Sequence, residues 1–277
     1  MNDKLKELLK LYASEKDYVK AIYYLDYKNM NSYFNRIITI VDVVKIYQLE
    51  EDLKSIFSDV VLTNRKKDSF KCQDKRQNYT KIKVFSKSYN EIENSIIQEE
   101  YANEYLNHLE EKPVIVVDKK DYLKDIDQEK KIYENPKDYE FRNCIRNFFT
   151  NVLETCYATV QRDKILASIK LQNVRYELLK MTNWYIIDRY SNAKDIGEDG
   201  EFLKNTLIKE YKDMIFNTFT DTDILNIYDA LFSACTTFRK MGLLLEQHLG
   251  YEYLKKEDVE IIKILRANYK EISSLIG

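Results

Sequence analysis

The side chains with the clearest chemical potential are acidic. Asp195, Glu198, Asp199 and Glu201 crowd around Gly197 and Gly200, and Glu177 lies about two helical turns before Trp184. Carboxylates in an acidic groove would favour a cationic small molecule electrostatically, and the nearby indole could offer it a ring face. The plainer reading is a solvated acidic loop with Trp184 wedged between helices, and it is the one composition favours. His108 and His248 stand at expected helix ends without an acid and a nucleophile at a nameable spacing, so neither is assigned a catalytic role. Cys72, Cys144, Cys156 and Cys235 form no C-x-x-C pair. Three of them sit on apolar helix faces, which points to buried free thiols instead of disulfides or zinc.

Charge and glycine usage exclude several classes. Lys plus Arg at 44 against Asp plus Glu at 46 leaves a net charge of -2, too little field to recruit nucleic acid. The one basic run, Arg65-Lys66-Lys67 continuing to Lys71, Lys75 and Arg76, is diluted by Asp68 and Asp74 and reads as a solvated loop. All five glycines lie at or beyond Gly197, so the first 196 residues offer no glycine-built phosphate cradle, and the P-loop and dinucleotide fingerprint are absent. No apolar run reaches eighteen residues and no charged leader precedes a short apolar segment, so no membrane association is expected and the chain is expected in the cytoplasm.

The elements that must position these residues follow from periodicity. Leu5, Leu8, Leu9 and Tyr12 mark a first helix, and Ala21–Leu25 and Arg36–Val44 read as strands. A helix carrying Leu49, Leu53, Ile56 and Phe57 comes next, then a short strand at Asp59–Leu62, the basic loop and a strand at Lys81–Phe85. Ser88 to about Leu109 is expected to be helical, and Pro113–Val117 a last buried strand with its proline at the start. The charged stretch from Asp118 to Asp138 serves as linker, and from Tyr139 onward the signal is helical. Cys144, Phe148, Val152 and Cys156 climb one face, Val174, Leu178, Met181 and Tyr185 another. A long helix after Thr220-Asp221 ends at Gly250, and a final one covers about Lys256 to Leu275. The fold class is α+β: a mixed sheet with helices over residues 1–137, then an all-α helical bundle over 138–277.

The wording of the helical half carries a resemblance. Phe141-x-x-Cys144 with Asn147-Phe148-Phe149 is followed by Val174-Arg175-x-Glu177-Leu178-Leu179-Lys180-Met181-x-x-Trp184. Ile196-Gly197, Phe202-Leu203, Phe219-Thr220-Asp221 and Ile227-Tyr228-Asp229-Ala230-Leu231-Phe232-x-x-Cys235-x-x-Phe238-Arg239 continue the pattern. Together they resemble the aminoglycoside (streptomycin) 6-adenylyltransferase family, densely in the C-terminal half and only as a pattern of elements before it. The resemblance implies a nucleotidyltransferase-like first domain and an aminoglycoside-binding-like bundle. It also implies transfer of AMP from ATP to a drug hydroxyl, with a Gly-Ser pair holding the triphosphate, an Asp-x-Asp holding magnesium and a third Asp activating the acceptor. Magnesium demands hard anionic oxygen, and two such ions stabilise both ends of an in-line displacement.

Laid onto this chain, the Gly-Ser pair falls at about Leu25-Asp26, the Asp-x-Asp at Tyr33-Phe34-Asn35 and the third Asp at Lys83, so none of the functional residue types is kept. Asp42 lies about 23 Å beyond Asn35 on a strand and faces the other way, so it is no substitute. Asp26 would oppose a triphosphate, and Lys83 is either an exposed residue of an edge strand or a cation able to meet a phosphate without metal. In the bundle, Asn147 replaces a family Glu and Gly197-Glu198 replaces Gly-Lys. Asn147, Glu177, Trp184 and Glu198 therefore outline a possible substrate groove. The first expectation is a catalytically silent relative, needing neither magnesium nor ATP, that binds an aminoglycoside-like cation or a protein partner. The second is a working nucleotidyltransferase with magnesium, ATP and a rebuilt set of carboxylates on the sheet face carrying Asn35 and Lys83.

Overall fold

The computed structural model describes residues 3–25, 34–42, 46–57, 59–72, 75–88, 90–109, 113–124, 126, 133–197, 200 and 203–276. The chain divides into two compact units, Met1–Lys131 and Ile132–Gly277. In the first, α1 (Asp3–Glu15) leads into β1 (Val19–Leu25) and β2 (Phe34–Val41), then α2 (Ile46–Ile56), β3 (Val60–Cys72), β4 (Lys75–Ser86), β5 (Asn90–Gln98), a 3-10 turn (Glu99–Tyr101), α3 (Ala102–Asn107) and β6 (Val114–Asp118). The strands form one sheet in the order β3-β4-β5-β2-β1-β6. It is mixed: β2 and β5 run parallel, and the other neighbouring pairs are antiparallel.

Alternation along the strands separates two faces. Ile37 and Val41 of β2, Ile82 and Val84 of β4 and Ile92 and Ile96 of β5 pack with Leu5 and Leu9 of α1 and Leu49 and Leu53 of α2. On the reverse face Tyr23, Ile38, Ile40 and Ile97 pack against Ala102, Tyr105 and Leu106 of α3 and against Leu123.

Three expectations are corrected here. Ser88–Leu109 is not one helix: residues 90–98 form β5, because Ile92 and Ile96 belong to one face while Glu91 and Glu93 belong to the other, a period of two hidden beside the helical EYANEYL run. The basic run is not a loop. Val60–Cys72 pairs with β4 as far as Cys72↔Lys75, and no glycine or proline interrupts it. Its lysines suit the sheet edge, where charge discourages further strand pairing. Consequently β4 is an interior strand, and Lys83 does not lie on an edge.

The second unit is helical: α4 (Asp138–Val160), α5 (Lys164–Arg189), α6 (Leu203–Thr206), α7 (Lys209–Phe216), α8 (Ile224–Leu249) and α9 (Lys255–Ile276). The three residues between α4 and α5 make a tight helical hairpin, with Asp163 accepting the Leu166 amide at 2.9 Å as its cap. Helix α8 is capped by Asp223, not Asp221, because Asp221 turns to the Asp223 amide and the Asn226 side chain. Gly250 ends it at φ 72°, a conformation that suits a residue without Cβ. Phe148 and Phe238 stack at 3.7 Å in the core, and Cys144, Cys156 and Cys235 are buried free thiols. Burial pushes the Cys235 thiol up to about 12, which keeps it unreactive. No described helix is long and apolar enough to cross a membrane.

Candidate functional site

Strand register decides which side chains of the sheet can act together. Asn35 of β2 lies opposite Ile92 of β5, and Ile92 opposite Val84 of β4. One step along, Arg36 lies opposite Glu93, and Glu93 opposite Lys83. Adjacent residues on a strand point to opposite faces, so Asn35, which is buried, belongs to the helix-covered face and Lys83 to the other. They do not share a face, which corrects the expectation that they did. Asp26 and Tyr33 lie outside the described residues.

The face carrying Lys83 is a lattice of paired charges. Lys83 Nζ sits 2.8 Å from Glu91 and 3.3 Å from Glu93, bridging carboxylates two residues apart on β5. Lys81 Nζ holds Asp68 at 2.9 Å and stands 3.7 Å from Glu93 Oε1. Arg36 Nε reaches the same Glu93 oxygen at 4.0 Å. Burial alone would raise the Glu93 carboxyl, but Lys81, Arg36 and Lys83 together hold it below the ordinary glutamate range. The hydrogen bond that Lys83 donates to Glu91 raises the Lys83 ammonium above its ordinary value. Lys81 is raised too, the Asp68 bond and the field of Glu93 overcoming burial.

This face does present several carboxylates, and the sequence reading named neither Glu91 nor Glu93. Each, however, already faces an ammonium or guanidinium. A divalent ion would need those cations to withdraw, and among the described residues no group of three metal-ligating side chains converges. As they stand, the described carboxylates of this face are paired with protein cations and do not form a magnesium centre. Beside the lattice, Arg36, Lys81, Glu93, Ser95, Tyr105 and His108 line a pocket of about 160 Å³.

A second pocket, of about 260 Å³, lies between α4 and α5, lined by Asn147, Thr150, Asn151, Asn173, Tyr176 and Glu177. The helical hairpin brings Asn147 and Glu177 together, with Asn147 Nδ2 3.5 Å from Glu177 Oε1. The other carboxylate oxygen of Glu177, Oε2, is buried and has no hydrogen-bond partner among the described residues. Trp184 is not part of this lining. Seven residues along α5 puts it about 10 Å further on the helix axis, where it is buried in the bundle core with Lys180 Nζ 5.2 Å from its ring. Glu198 lies outside the described residues. His248 pairs with Asp188 at 2.7 Å.

A family model described as streptomycin adenylyltransferase matches residues 28–267, most of the chain. The chain belongs to that family. A relative described as aminoglycoside 6-adenylyltransferase, from Bacillus subtilis (strain 168), is 25% identical over 122 residues, and the match spans 43% of each chain, less than half of the relative's length. Among solved structures, an aminoglycoside 6-adenyltransferase from Bacillus subtilis aligns over 96% of this chain and 97% of its own, with 17% identity and a TM-score of 0.49. A nucleotidyltransferase-like protein from Exiguobacterium sibiricum 255-15 aligns over 88% of this chain and 78% of its own, with 8% identity and a TM-score of 0.37.

In this streptomycin adenylyltransferase family member, the signal that could have found Glu93 is the alternation Glu91-Ile92-Glu93-Asn94-Ser95-Ile96, with polar residues at every odd position to Ser95. No periodicity could have found His108. It follows the last turn of α3, and its ring meets the edge of Phe70 from β3, 38 residues earlier, at 5.8 Å.

Proposed function

We propose that this family member does not carry out magnesium-dependent adenylyl transfer and acts as a binding or scaffolding module on a nucleotidyltransferase scaffold. The observation that supports this most is the bridging of Glu91 and Glu93 by Lys83 at 2.8 and 3.3 Å. A carboxylate pair two residues apart is the arrangement a metal would use, and here a tethered ammonium supplies the positive charge. Adding a divalent ion would put like charges within a few ångström of each other in a partly desolvated site.

The test combines binding and turnover. Magnesium-ATP that bound at a hundred times its Kd would add about 2.7 kcal/mol to stability. The expected result is no magnesium-dependent rise in melting temperature and no AMP-streptomycin from a mixture of protein, magnesium-ATP and streptomycin. A magnesium-dependent rise accompanied by adenylylated drug would overturn the proposal in favour of an active aminoglycoside nucleotidyltransferase.

For the ligand, the α4–α5 pocket supports a cationic, hydroxyl-rich small molecule of the aminoglycoside kind. Glu177 Oε2 needs a donor, and the amides of Asn147, Asn151 and Asn173 suit hydroxyl groups. Streptomycin alone should raise the melting temperature of the native chain and not of a Glu177→Gln variant. Equal behaviour of the two would remove the pocket from consideration.

A further inference from the structure

We infer that the long β3–β4 ribbon is a docking surface for double-stranded DNA, gripped through its phosphates and without sequence preference. This surface is separate from both pockets, and it does not depend on whether adenylyl transfer occurs.

The net charge of -2 hides a local contrast. Residues 65–76 hold six cations, Arg65, Lys66, Lys67, Lys71, Lys75 and Arg76, against Asp68 and Asp74, so the rest of the chain is net -6. In a loop such a run is solvated charge with no fixed direction. Folded as strand, it is an array. β4 pairs with β5 only from Thr80 to Ser86, whereas β3 and β4 stay paired as far as Cys72↔Lys75, so a two-stranded ribbon runs on past β5. Guarding an edge requires charge, but not one sign of it.

Register assigns the cations to faces. Lys67 lies opposite Thr80 and Arg76 opposite Lys71, on the face that Ile82 shares further along. Lys66, opposite Lys81, and Lys75, opposite Cys72, belong to the other face. All four are exposed, and among the described residues none of them has a partner. The neighbouring charges are already taken. Arg65 stands 3.7 Å from Glu50 and lies over the Tyr47 ring, and Asp68 is held by Lys81 at 2.9 Å. Four uncommitted cations therefore remain, two on each face of the ribbon.

The arrangement selects among polyanions. Cations on both faces of a ribbon about 5 Å from strand to strand suit a groove with phosphates along both rims, and the B-form major groove, about 12 Å wide, admits such a ribbon. Duplex RNA has a major groove too deep and narrow for it. Single strands need free aromatic faces to stack on, and here Phe70 and Tyr79 turn their rings to Tyr105, at 5.1 and 5.2 Å. An acidic membrane asks for apolar residues beside the cations, and the same packing withholds Phe70 from it.

Anisotropy of a short labelled DNA duplex, titrated with the full chain at several salt concentrations, tests the inference. Four phosphate contacts predict an affinity that falls about 150-fold between about 50 and 200 mM salt, equally for two unrelated sequences. Lys67→Gln combined with Arg76→Gln should reduce that fall to about twelve-fold, since two contacts remain. Neither residue has a partner to lose, so the melting temperature of this double variant should match that of the native chain. Lys209→Gln combined with Lys256→Gln removes the same charge from exposed positions on α7 and α9 and should leave the salt dependence unchanged. The inference is overturned by no binding at the lowest salt or by an equal response of the two double variants. Binding to single strands, duplex RNA, poly-glutamate or phosphatidylserine vesicles as tight as to the DNA duplex would overturn it too.

Discussion

Glu93 and Glu177 are both half-hidden carboxylates on regular elements, yet they are treated oppositely. Around Glu93 the sheet gathers Lys81, Lys83 and Arg36 from the two flanking strands, so the charge is balanced inside the protein. Glu177 has a long contact to Asn147 through one oxygen and, among the described residues, no hydrogen-bond partner for the other. The difference teaches how to tell structural charge from prepared charge. A carboxylate whose partners come with the fold stabilises the fold, whereas one left short of donors carries a desolvation penalty that a ligand would relieve.

The comparison can be broken most directly at Glu93. Glu93→Gln leaves three cations with one counter-charge fewer in a site where the glutamate side chain is only 13% exposed. Removing one partner of a buried pair costs several kcal/mol, and partial solvation reduces that here to about 2 kcal/mol. Urea unfolding of the first unit should show it. A loss under about 0.5 kcal/mol would mean that the lattice is solvated and that the contrast with Glu177 is empty.

Acid provides a sharper version of the same measurement. The folded-state pKa of Glu93 is depressed, so its contribution is complete above the ordinary glutamate value and is lost as pH falls through the folded value. The stability gap between native chain and Glu93→Gln should therefore be constant near neutrality and close on acidification below about pH 4. A gap that widened in acid would reverse the sign and contradict the assigned pairing.

The smallest effect is expected at Glu177. Removing its charge by Glu177→Gln takes away a carboxylate oxygen that has no partner, so stability should change by less than about 0.5 kcal/mol, or rise slightly. Calorimetric melting of the second unit measures this alongside the streptomycin response. A loss comparable to that of Glu93→Gln would show that Glu177 has structural work after all.

Much of the fold was legible because burial imposes a period. Leu5, Leu9 and Tyr12 gave α1, Phe148 and Val152 gave the buried face of α4, and Gly250 marked the end of α8 at positive φ. The reading failed at β5, where two isoleucines alternating with acids lie next to a helix-forming run, and at β3, where a charged sequence forms an edge strand. Both failures hid the candidate site, since Glu93 and Ser95 lie on β5 and Asp68 on β3. In the bundle, Asn147 was named through the family likeness and Glu177 through its spacing to Trp184, and only the packing of α4 on α5 puts the first two in one pocket, while Trp184 is buried in the core, the plainer of its two readings.

The amino-acid order alone determined the helical second half, the absence of a glycine phosphate cradle and the family likeness, because local periodicity and residue type are properties of contiguous chain. Tertiary structure decided which charges meet. Strand register puts Lys83 on β4 opposite Glu93 on β5 and Arg36 on β2 beside it, and parity turns Asn35 away from all three. Register is fixed by the packing of whole sheet faces against α1, α2 and α3, and a one-residue slip would invert every one of those assignments.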